Sequence, residues 1–400
     1  MIVGNLFQQA YTIVDSAIVG HYNGEAALAA VGASSALTTI FICVAIGGGI
    51  GASVIISQHF GAKRFARMKS AVYTALLTFL SVSVLLAGVG LLCSEQIMTA
   101  LKTPPDALEI AVTYLNIYFY GLPFLFLYNI LSSLFNALGK SRIPLYFLIF
   151  SAVVNTVLDL LFVGVLKLGV GSAALATIIS QFISALLCLR RLLRSPEEYR
   201  LVPSRIRFDP IMLKQIISNG LPAGLQNSII ALANVVVQSN INSFGKMAVA
   251  GCGAYSKVEG FGFLPITCFS LALTTFISQN LGAKQYDRAK RGARFGILCS
   301  ITLAEIVGIC VYFLSPYLIA AFNSDPQVIE IGYTRLVIVF SAYTFSMLYE
   351  IMSGYLRGFG VSLVPAVLTM IGVCGIRIAW IELVFPKNHN FETIMTVYPI

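Results

Sequence analysis

Charged residues are scarce in this sequence. Only 11% of the 400 residues are Asp, Glu, Lys or Arg, and 58% are hydrophobic, whereas a soluble domain has roughly 25% charged residues. Several uncharged stretches are longer than the roughly 20 residues that cross a bilayer. They include 26–60, 70–94, 110–139, 168–189 and 215–245. The composition excludes an ordinary soluble protein and predicts an all-α integral membrane fold with about 12 transmembrane helices.

Features of several other protein classes are also missing. The first residues carry neither a basic segment nor the cleavage site of a signal peptide. The eight cysteines lie in apolar segments without C-x-x-C spacing, and the three histidines are scattered, so we interpret the cysteines as core residues and expect no metal centre of these types. The sequence contains no nucleotide-binding loop. We expect no enzymatic activity, no cofactor and no direct use of ATP.

Hydropathy predicts eleven spans and the start of a twelfth. Their approximate limits are 2–20, 33–58, 70–93, 110–137, 143–166, 168–189, 215–243, 250–281, 293–318, 328–356 and 362–385, with the twelfth beginning at Phe391. We expect a short first span and an incomplete twelfth, as in a fragment or a truncated gene model.

Lys and Arg orient these spans. Nineteen of them fall in loops that follow even-numbered spans, and four fall in the opposite loops. Basic loops stay in the cytoplasm, so we predict a multi-pass protein of the inner or plasma membrane with residues 195–213 as a cytoplasmic linker. The excess of Lys and Arg in the cytoplasmic loops, which face anionic lipid, explains the net charge of +9. The expected partners are membrane lipid and a small organic substrate, without nucleic acid, and we expect a monomer.

The sequence repeats itself at an offset of 221 residues. The segment "SQHFGAKRFARMK" (57–69) matches "SQNLGAKQYDRAK" (278–290), and Gly139 and Pro144 match Gly360 and Pro365. We therefore predict two like-oriented six-helix bundles, 1–194 and 214–400, the second one truncated, joined by the linker 195–213. Parallel repeats of this kind are typical of secondary transporters.

The chain resembles the multidrug and toxic compound extrusion (MATE) family, within the superfamily that also holds lipid-linked oligosaccharide flippases. The resemblance depends on "QQAYTIVDSAIVG", "GEAALAAVG", the two "SQ-x-x-GAK" loops and "NTVLDLLFV", and it covers nearly the whole chain. It implies an antiporter that exports organic, cationic amphipathic solutes by alternating access. The alternative that it leaves open is a flippase of lipids or lipid-linked saccharides.

An acidic cluster is the predicted cation-coupling site. Asp15 lies on a polar helix face with Gln8, and Asn155 and Asp159 share a face four residues apart. The resemblance implies that Asp15, Asn155, Asp159 and Thr177 come together in the first half. Two carboxylates in an apolar pocket resist simultaneous ionisation, so one is expected to hold a proton. Alternatively, Asp15 and Asp159 could bind Na⁺ with the help of neutral oxygens. A purely structural role in hydrogen bonding between helices is the simpler alternative.

The second half does not repeat these acids. Val236 aligns with Asp15, and Trp380 aligns with Asp159. The possible residues of a cavity or substrate site are Gln8, Asn227, Asn234, Gln238, Glu259 and Glu350. The sequence also has Arg335 and Arg377 within spans, and we interpret both as structural or interfacial. It does not identify the substrate or distinguish H⁺ from Na⁺.

Overall fold

A computed structural model describes residues 4, 6, 7, 38–100, 105–169, 171–202, 207–320 and 325–399. Of the predicted first span (2–20), residues 4, 6 and 7 are described, and Gln8 and Asp15 lie outside the described residues. The helices of the first half are α1 (Thr38–Gly61), α2 (Phe65–Ala100), α3 (Pro105–Ala137), α4 (Arg142–Asp159) and α5 (Gly171–Leu193). Those that follow are α6 (Pro210–Ile241), α7 (Lys246–Gly282), α8 (Tyr286–Ala320), α9 (Pro326–Phe340), α10 (Tyr343–Gly358), α11 (Leu363–Leu368), α12 (Ile376–Leu383) and α13 (Phe391–Met395).

The fold is all-helical and integral to the membrane, as predicted. Within the described part, nine helical segments are long and apolar enough to cross a bilayer, and the bent pair of α9 and α10 meets the same criterion only when both helices are taken together. The prediction of one continuous helix over 328–356 is wrong, because α9 and α10 meet at an angle of 57°. At the break, the Ser341 hydroxyl donates to the Ile338 carbonyl oxygen at 2.7 Å, and such a bond competes with the helical backbone pattern.

Two spans contain π-helical turns. One follows α4 directly over Leu160–Val165, and the other joins α11 to α12 over Thr369–Gly375. A π-helical turn inserts an additional residue into the helix and is frequent at functional sites. In the first case the turn begins immediately after Asp159.

Contacts divide the chain into two compact units between Gly224 and Leu225, within α6. Large buried side chains such as Phe119, Phe126 and Phe135 form the core of the N-terminal unit. In the C-terminal unit, Ile266 and Met347 belong to one apolar cluster of the core. The boundaries 1–194, 195–213 and 214–400 stay a prediction.

The repeat is visible in the backbone of both units. The Ser57 hydroxyl donates to the Ala137 carbonyl oxygen at 3.2 Å, and the Ser278 hydroxyl donates to the Gly358 carbonyl oxygen at 2.9 Å. Both partners are shifted by the same 221 residues. Positive φ angles repeat at the same offset in Lys63 and Lys284 (55° and 58°) and in Gly139 and Gly360 (74° and 83°). Each unit thus joins its helices with the same turns.

The segment that follows α5 is packed against the N-terminal unit. Tyr199 and Leu201 are buried in its core, and the Val202 N–H donates to the Tyr73 hydroxyl at 3.1 Å. Asp209 caps α6 by accepting hydrogen bonds from the N–H groups of Ile211 and Met212. The predicted linker is therefore held to its unit by specific contacts where it is described.

Candidate functional site

Three of the four predicted coupling residues come together between α4 and α5. Asn155 and Asp159 lie one turn apart on α4, and Thr177 faces them from α5. Asn155 is 1% exposed and Asp159 is fully buried. The fourth residue, Asp15, lies outside the described residues. The four-residue spacing predicted that Asn155 and Asp159 share a helix face, and the family resemblance implied that Thr177 lies beside them.

Hydrogen bonds connect the side chains of Asn155 and Asp159 with the backbone of Thr177. With the Asn155 amide oriented to satisfy its neighbours, its nitrogen donates to Asp159 Oδ2 at 3.0 Å and its oxygen accepts from the Thr177 N–H at 3.3 Å. The Thr177 hydroxyl donates to the Ala173 carbonyl oxygen at 3.1 Å. The Asn155 amide thus links the Asp159 carboxylate to the N-terminal part of α5.

The chemistry of this cluster is that of a small cation site. A buried carboxylate can take up a proton, and its oxygens together with amide and hydroxyl oxygens are ligands for a hard cation such as Na⁺. No group of three His, Cys, Asp or Glu residues in the described ranges is arranged to hold a metal ion. A Na⁺ here would consequently depend on neutral oxygens in addition to carboxylates.

The predicted polar face of the seventh span lies on α6. Asn234 is exposed and accepts a hydrogen bond from Arg377 Nη1 at 2.9 Å. Gln238 donates to Asn242 Oδ1 at 3.1 Å, and Asn227 is half-buried. The structure thus brings one of these three side chains, Asn234, to a charged group of another helix.

Glu259 lies on α7 beside a small cavity of the C-terminal unit. The cavity has space of about 20 Å³ and is also lined by Tyr255, Gly262 and Tyr343. This volume accommodates about one water molecule, so an organic substrate does not fit into it. Glu259 also interacts electrostatically with Arg335 and Arg377. Its surroundings are polar and aromatic rather than purely apolar.

Glu350 is paired with a cation on its own helix. Arg357 Nη1 lies 3.5 Å from Glu350 Oε1, and the Ser270 hydroxyl donates to the same oxygen at 3.1 Å. Arg357 also donates to Gln226 Oε1 at 3.5 Å. Arg357 is one of the nineteen Lys and Arg residues that the sequence analysis placed in loops, and this placement is wrong, because Arg357 lies in the last turn of α10 and is 4% exposed. Within the C-terminal unit, the positive charge of Arg357 offsets the negative charge of Glu350.

Sequence reasoning missed a second cluster in the C-terminal unit. Arg335 lies between the rings of Tyr255 and Tyr398, 4.9 and 5.1 Å from their centroids, and Arg377 lies 4.8 Å from that of Tyr398. The signal was present in the sequence. Two arginines occur in apolar spans, and the repeat aligns Tyr398 with Thr177 of the acidic cluster.

A bundle of long apolar helices with an internal repeat and a buried acidic cluster defines a class, the polytopic membrane transporters. Within this class, the model of the MatE family matches residues 1–161 and 222–381. The match covers more than half of the chain. The chain therefore belongs to the MATE family of membrane transporters, as its resemblance predicted.

Curated relatives agree with this assignment. The chain is 28% identical over 385 residues to the probable multidrug resistance protein YoeA of Bacillus subtilis. The aligned region covers 94% of this chain and 83% of the relative. It is 30% identical over 381 residues to YpnP of the same organism, with 94% and 84% covered. It is also 27% identical over 336 residues to the FAD transporter of Shewanella oneidensis, with 82% and 74% covered. These relatives are named as transport or resistance proteins and not as enzymes.

Solved structures show the same fold. A crystal structure of MATE in complex with MaL6 superposes with a TM-score of 0.93 at 19% identity, covering 100% of this chain and 90% of that chain. An outward-facing multidrug resistance transporter of the family superposes with a TM-score of 0.92 at 19% identity and the same coverage. At these identities the likeness supports the fold alone.

Proposed function

We propose that this protein is a secondary active exporter of the inner or plasma membrane, which exchanges an organic solute for inward H⁺ or Na⁺. The observation that carries this proposal is the fully buried Asp159, which is hydrogen-bonded to Asn155 inside a membrane-spanning bundle. An ionisable group in such a place is costly and typically marks an ion pathway. Asp15 is proposed to complete the site.

The proposed mechanism is a shift between two conformations. A cation that binds at Asp159 changes the equilibrium between inward-open and outward-open states only by the difference between its affinities for the two states. Protonation removes the charge of the carboxylate, whereas Na⁺ compensates it. In either case the carboxylate is more stable within the apolar bundle when the cation is bound.

The charge of the substrate is not given by the names of the relatives. Two are named as multidrug resistance proteins, and one is named as a transporter of FAD, which carries phosphates. The cationic amphipathic substrate expected from the sequence would require an available carboxylate, and Glu350 is compensated by Arg357. The flippase alternative requires a cationic site, and Arg335 and Arg377 supply one in the C-terminal unit.

Transport in proteoliposomes tests the proposal. Wild-type protein should move ethidium, as a cationic probe, or FAD, as an anionic one, when either a pH gradient or a Na⁺ gradient is imposed. Asp159→Asn should lower the rate at least about a hundredfold, because the amide neither exchanges a proton nor supplies a charge. Glu109→Gln, at an exposed carboxylate of α3, is the matched control and should transport normally.

Two results would contradict the proposal. The first is an Asp159→Asn rate equal to wild type under a saturating gradient. The second is transport of neither probe by wild-type protein under both gradients, together with movement of a fluorescent phospholipid between leaflets without any gradient. That combination would indicate the flippase.

A further inference from the structure

The cluster in the C-terminal unit contains two guanidinium groups on one aromatic ring. Arg335 and Arg377 both interact with the ring of Tyr398, and Arg335 Nη2 also donates to the Tyr398 hydroxyl at 3.2 Å. Arg335 Nη1 donates to the Cys252 carbonyl oxygen at 3.5 Å. Three helices, α7, α9 and α12, and the turn that follows α13 therefore contribute to this arrangement, which we term the guanidinium cluster.

The charges of the guanidinium cluster do not balance among the described residues. Glu259 is the carboxylate that interacts with both arginines, so two positive charges face one negative charge. The arginines also repel each other. An excess cation inside a membrane-spanning bundle is unfavourable unless an anion or a polar environment compensates it. The cluster is therefore one negative charge short of neutrality.

The buried arginine also has a donor that is not used. Arg335 is 4% exposed, and its Nε has no hydrogen-bond acceptor among the residues that the structure describes. Most buried polar atoms in proteins are hydrogen-bonded, and an exception calls for an explanation. An oxygen of a bound anion would supply both the missing acceptor and the missing charge, since guanidinium groups bind carboxylates and phosphates with two parallel hydrogen bonds.

The cluster is open on one side. Arg377 is half-buried, and the Asn234 side chain that binds its Nη1 is exposed. A ligand that replaced the Asn234 amide oxygen would meet Arg377 first and Arg335 behind it. Apolar parts of such a ligand would meet aromatic rings, because Tyr398 and Tyr255 flank the arginines.

We propose that the guanidinium cluster is an anion-binding site, which takes the carboxylate or phosphate group of an organic solute. This inference rests on the proposed export function. It implies that the exported solutes carry at least one carboxylate or phosphate group. A phosphate could also come from a lipid headgroup. The binding chemistry is the same in both cases, and the experiment distinguishes the two sources.

Binding to the purified protein in nanodiscs tests this site without any gradient. The probes are inorganic phosphate, citrate and AMP, with adenosine as the uncharged counterpart of AMP, and calorimetry measures affinity. In discs of phosphatidylcholine we expect AMP to bind and adenosine to bind at least about tenfold more weakly. If the site takes lipid phosphate, phosphatidylglycerol in the disc should raise the melting temperature and abolish binding of the soluble probes.

Variants assign the binding to these residues. Arg377→Gln should weaken binding of the anionic probe, or of phosphatidylglycerol, at least about tenfold, and Arg377→Lys should recover part of it. Arg142→Gln removes an exposed arginine of α4 and should bind normally. Asn234→Asp should also weaken binding about tenfold, since it places a competing carboxylate beside Arg377. Asn240→Asp, on another face of α6, is its matched control and adds the same charge.

Three outcomes would overturn the proposal. They are the absence of binding in both the soluble and the lipid arm, equal binding of AMP and adenosine, and equal binding by Arg377→Gln and Arg142→Gln. Loss of export in Asp159→Asn leaves the binding measurement untouched. Failure of the export proposal and failure of the anion site are therefore separable.

Discussion

In the N-terminal unit, the polar cluster of the spans consists of Asn155, Asp159 and Thr177, with a carboxylate as its charged group. At the corresponding positions of the C-terminal unit, shifted by 221 residues, stand Ile376, Trp380 and Tyr398. The charges near Tyr398 are instead two guanidinium groups and the Glu259 carboxylate. The turns at Lys63 and Lys284 are nevertheless the same. Among the described residues, equivalent positions of the repeat thus lie beside a negative charge in one unit and beside a net positive charge in the other.

The largest expected effect concerns which unit couples transport to a cation. Asp15→Asn and Asp159→Asn should each abolish gradient-driven export, and the double variant should be no worse than either, because groups that act as one site are not additive. Trp380→Phe changes the position equivalent to Asp159 and should retain gradient dependence. The measurement is the export rate at a fixed gradient. Independent, additive losses would place Asp15 outside the site.

The second comparison concerns the ion pair of Glu350 and Arg357, whose repeat positions are Asn129 and Asn136. Glu350→Asn should destabilise the protein by about 3 kcal/mol, because it leaves the buried Arg357 without its anion. Arg357→Asn should cost less, since the side chain of Glu350 is 23% exposed. The double variant copies the neutral pair of the other unit and should recover much of the loss. Thermal unfolding in detergent measures this cycle.

A double variant that is as unstable as the sum of the single changes would contradict this view of the pair. It would mean that each charge is stabilised by other groups. The double variant also tests whether Glu350 binds a cation. If it does, export should be lost in the double variant even though its stability is recovered.

The sequence predicted the fold and the shared helix face of Asn155 and Asp159 for identifiable physical reasons, whereas the approach of Thr177 was implied by the family resemblance. Apolar length, the basic loops and the repeat are properties of segments, and the spacing of Asn155 and Asp159 places them on one helix face. The break at Ser341 and the π-helical turn after Asp159 were missed, because each depends on only a few local hydrogen bonds. The guanidinium cluster was missed because it joins residues from spans that only packing brings together.

A third, smaller effect compares the serines that repeat between the units. Ser57→Ala and Ser278→Ala each remove one buried hydrogen bond to a carbonyl oxygen, so each should cost about 1 kcal/mol. Because the two bonds are equivalent in the repeat, the losses should agree within about 0.5 kcal/mol and add in the double variant. Unequal losses would show that the two turns are supported differently.

The smallest expected effect concerns the cap of α6, at Asp209. Asp209 accepts hydrogen bonds from the Met212 N–H, the Ser70 hydroxyl and the Ile211 N–H. These bonds, led by that from Met212, lower the pKa of the Asp209 carboxyl below its ordinary value of 3.8. The charged form therefore stabilises the folded state above this value, and the contribution is lost as the pH falls through the lower folded pKa.

Asp209→Asn tests this linkage, since Asn is also a good N-cap and loses only the charge. At pH 7 the variant should melt slightly below wild type, and the difference should vanish when the pH falls below the folded pKa of Asp209. Asp287→Asn, at an exposed acid in the first turn of α8 in the other unit, is the control. A difference between Asp209→Asn and wild type that persisted unchanged through this acidic range would show that hydrogen-bond geometry, and not the charge, fixes the start of α6.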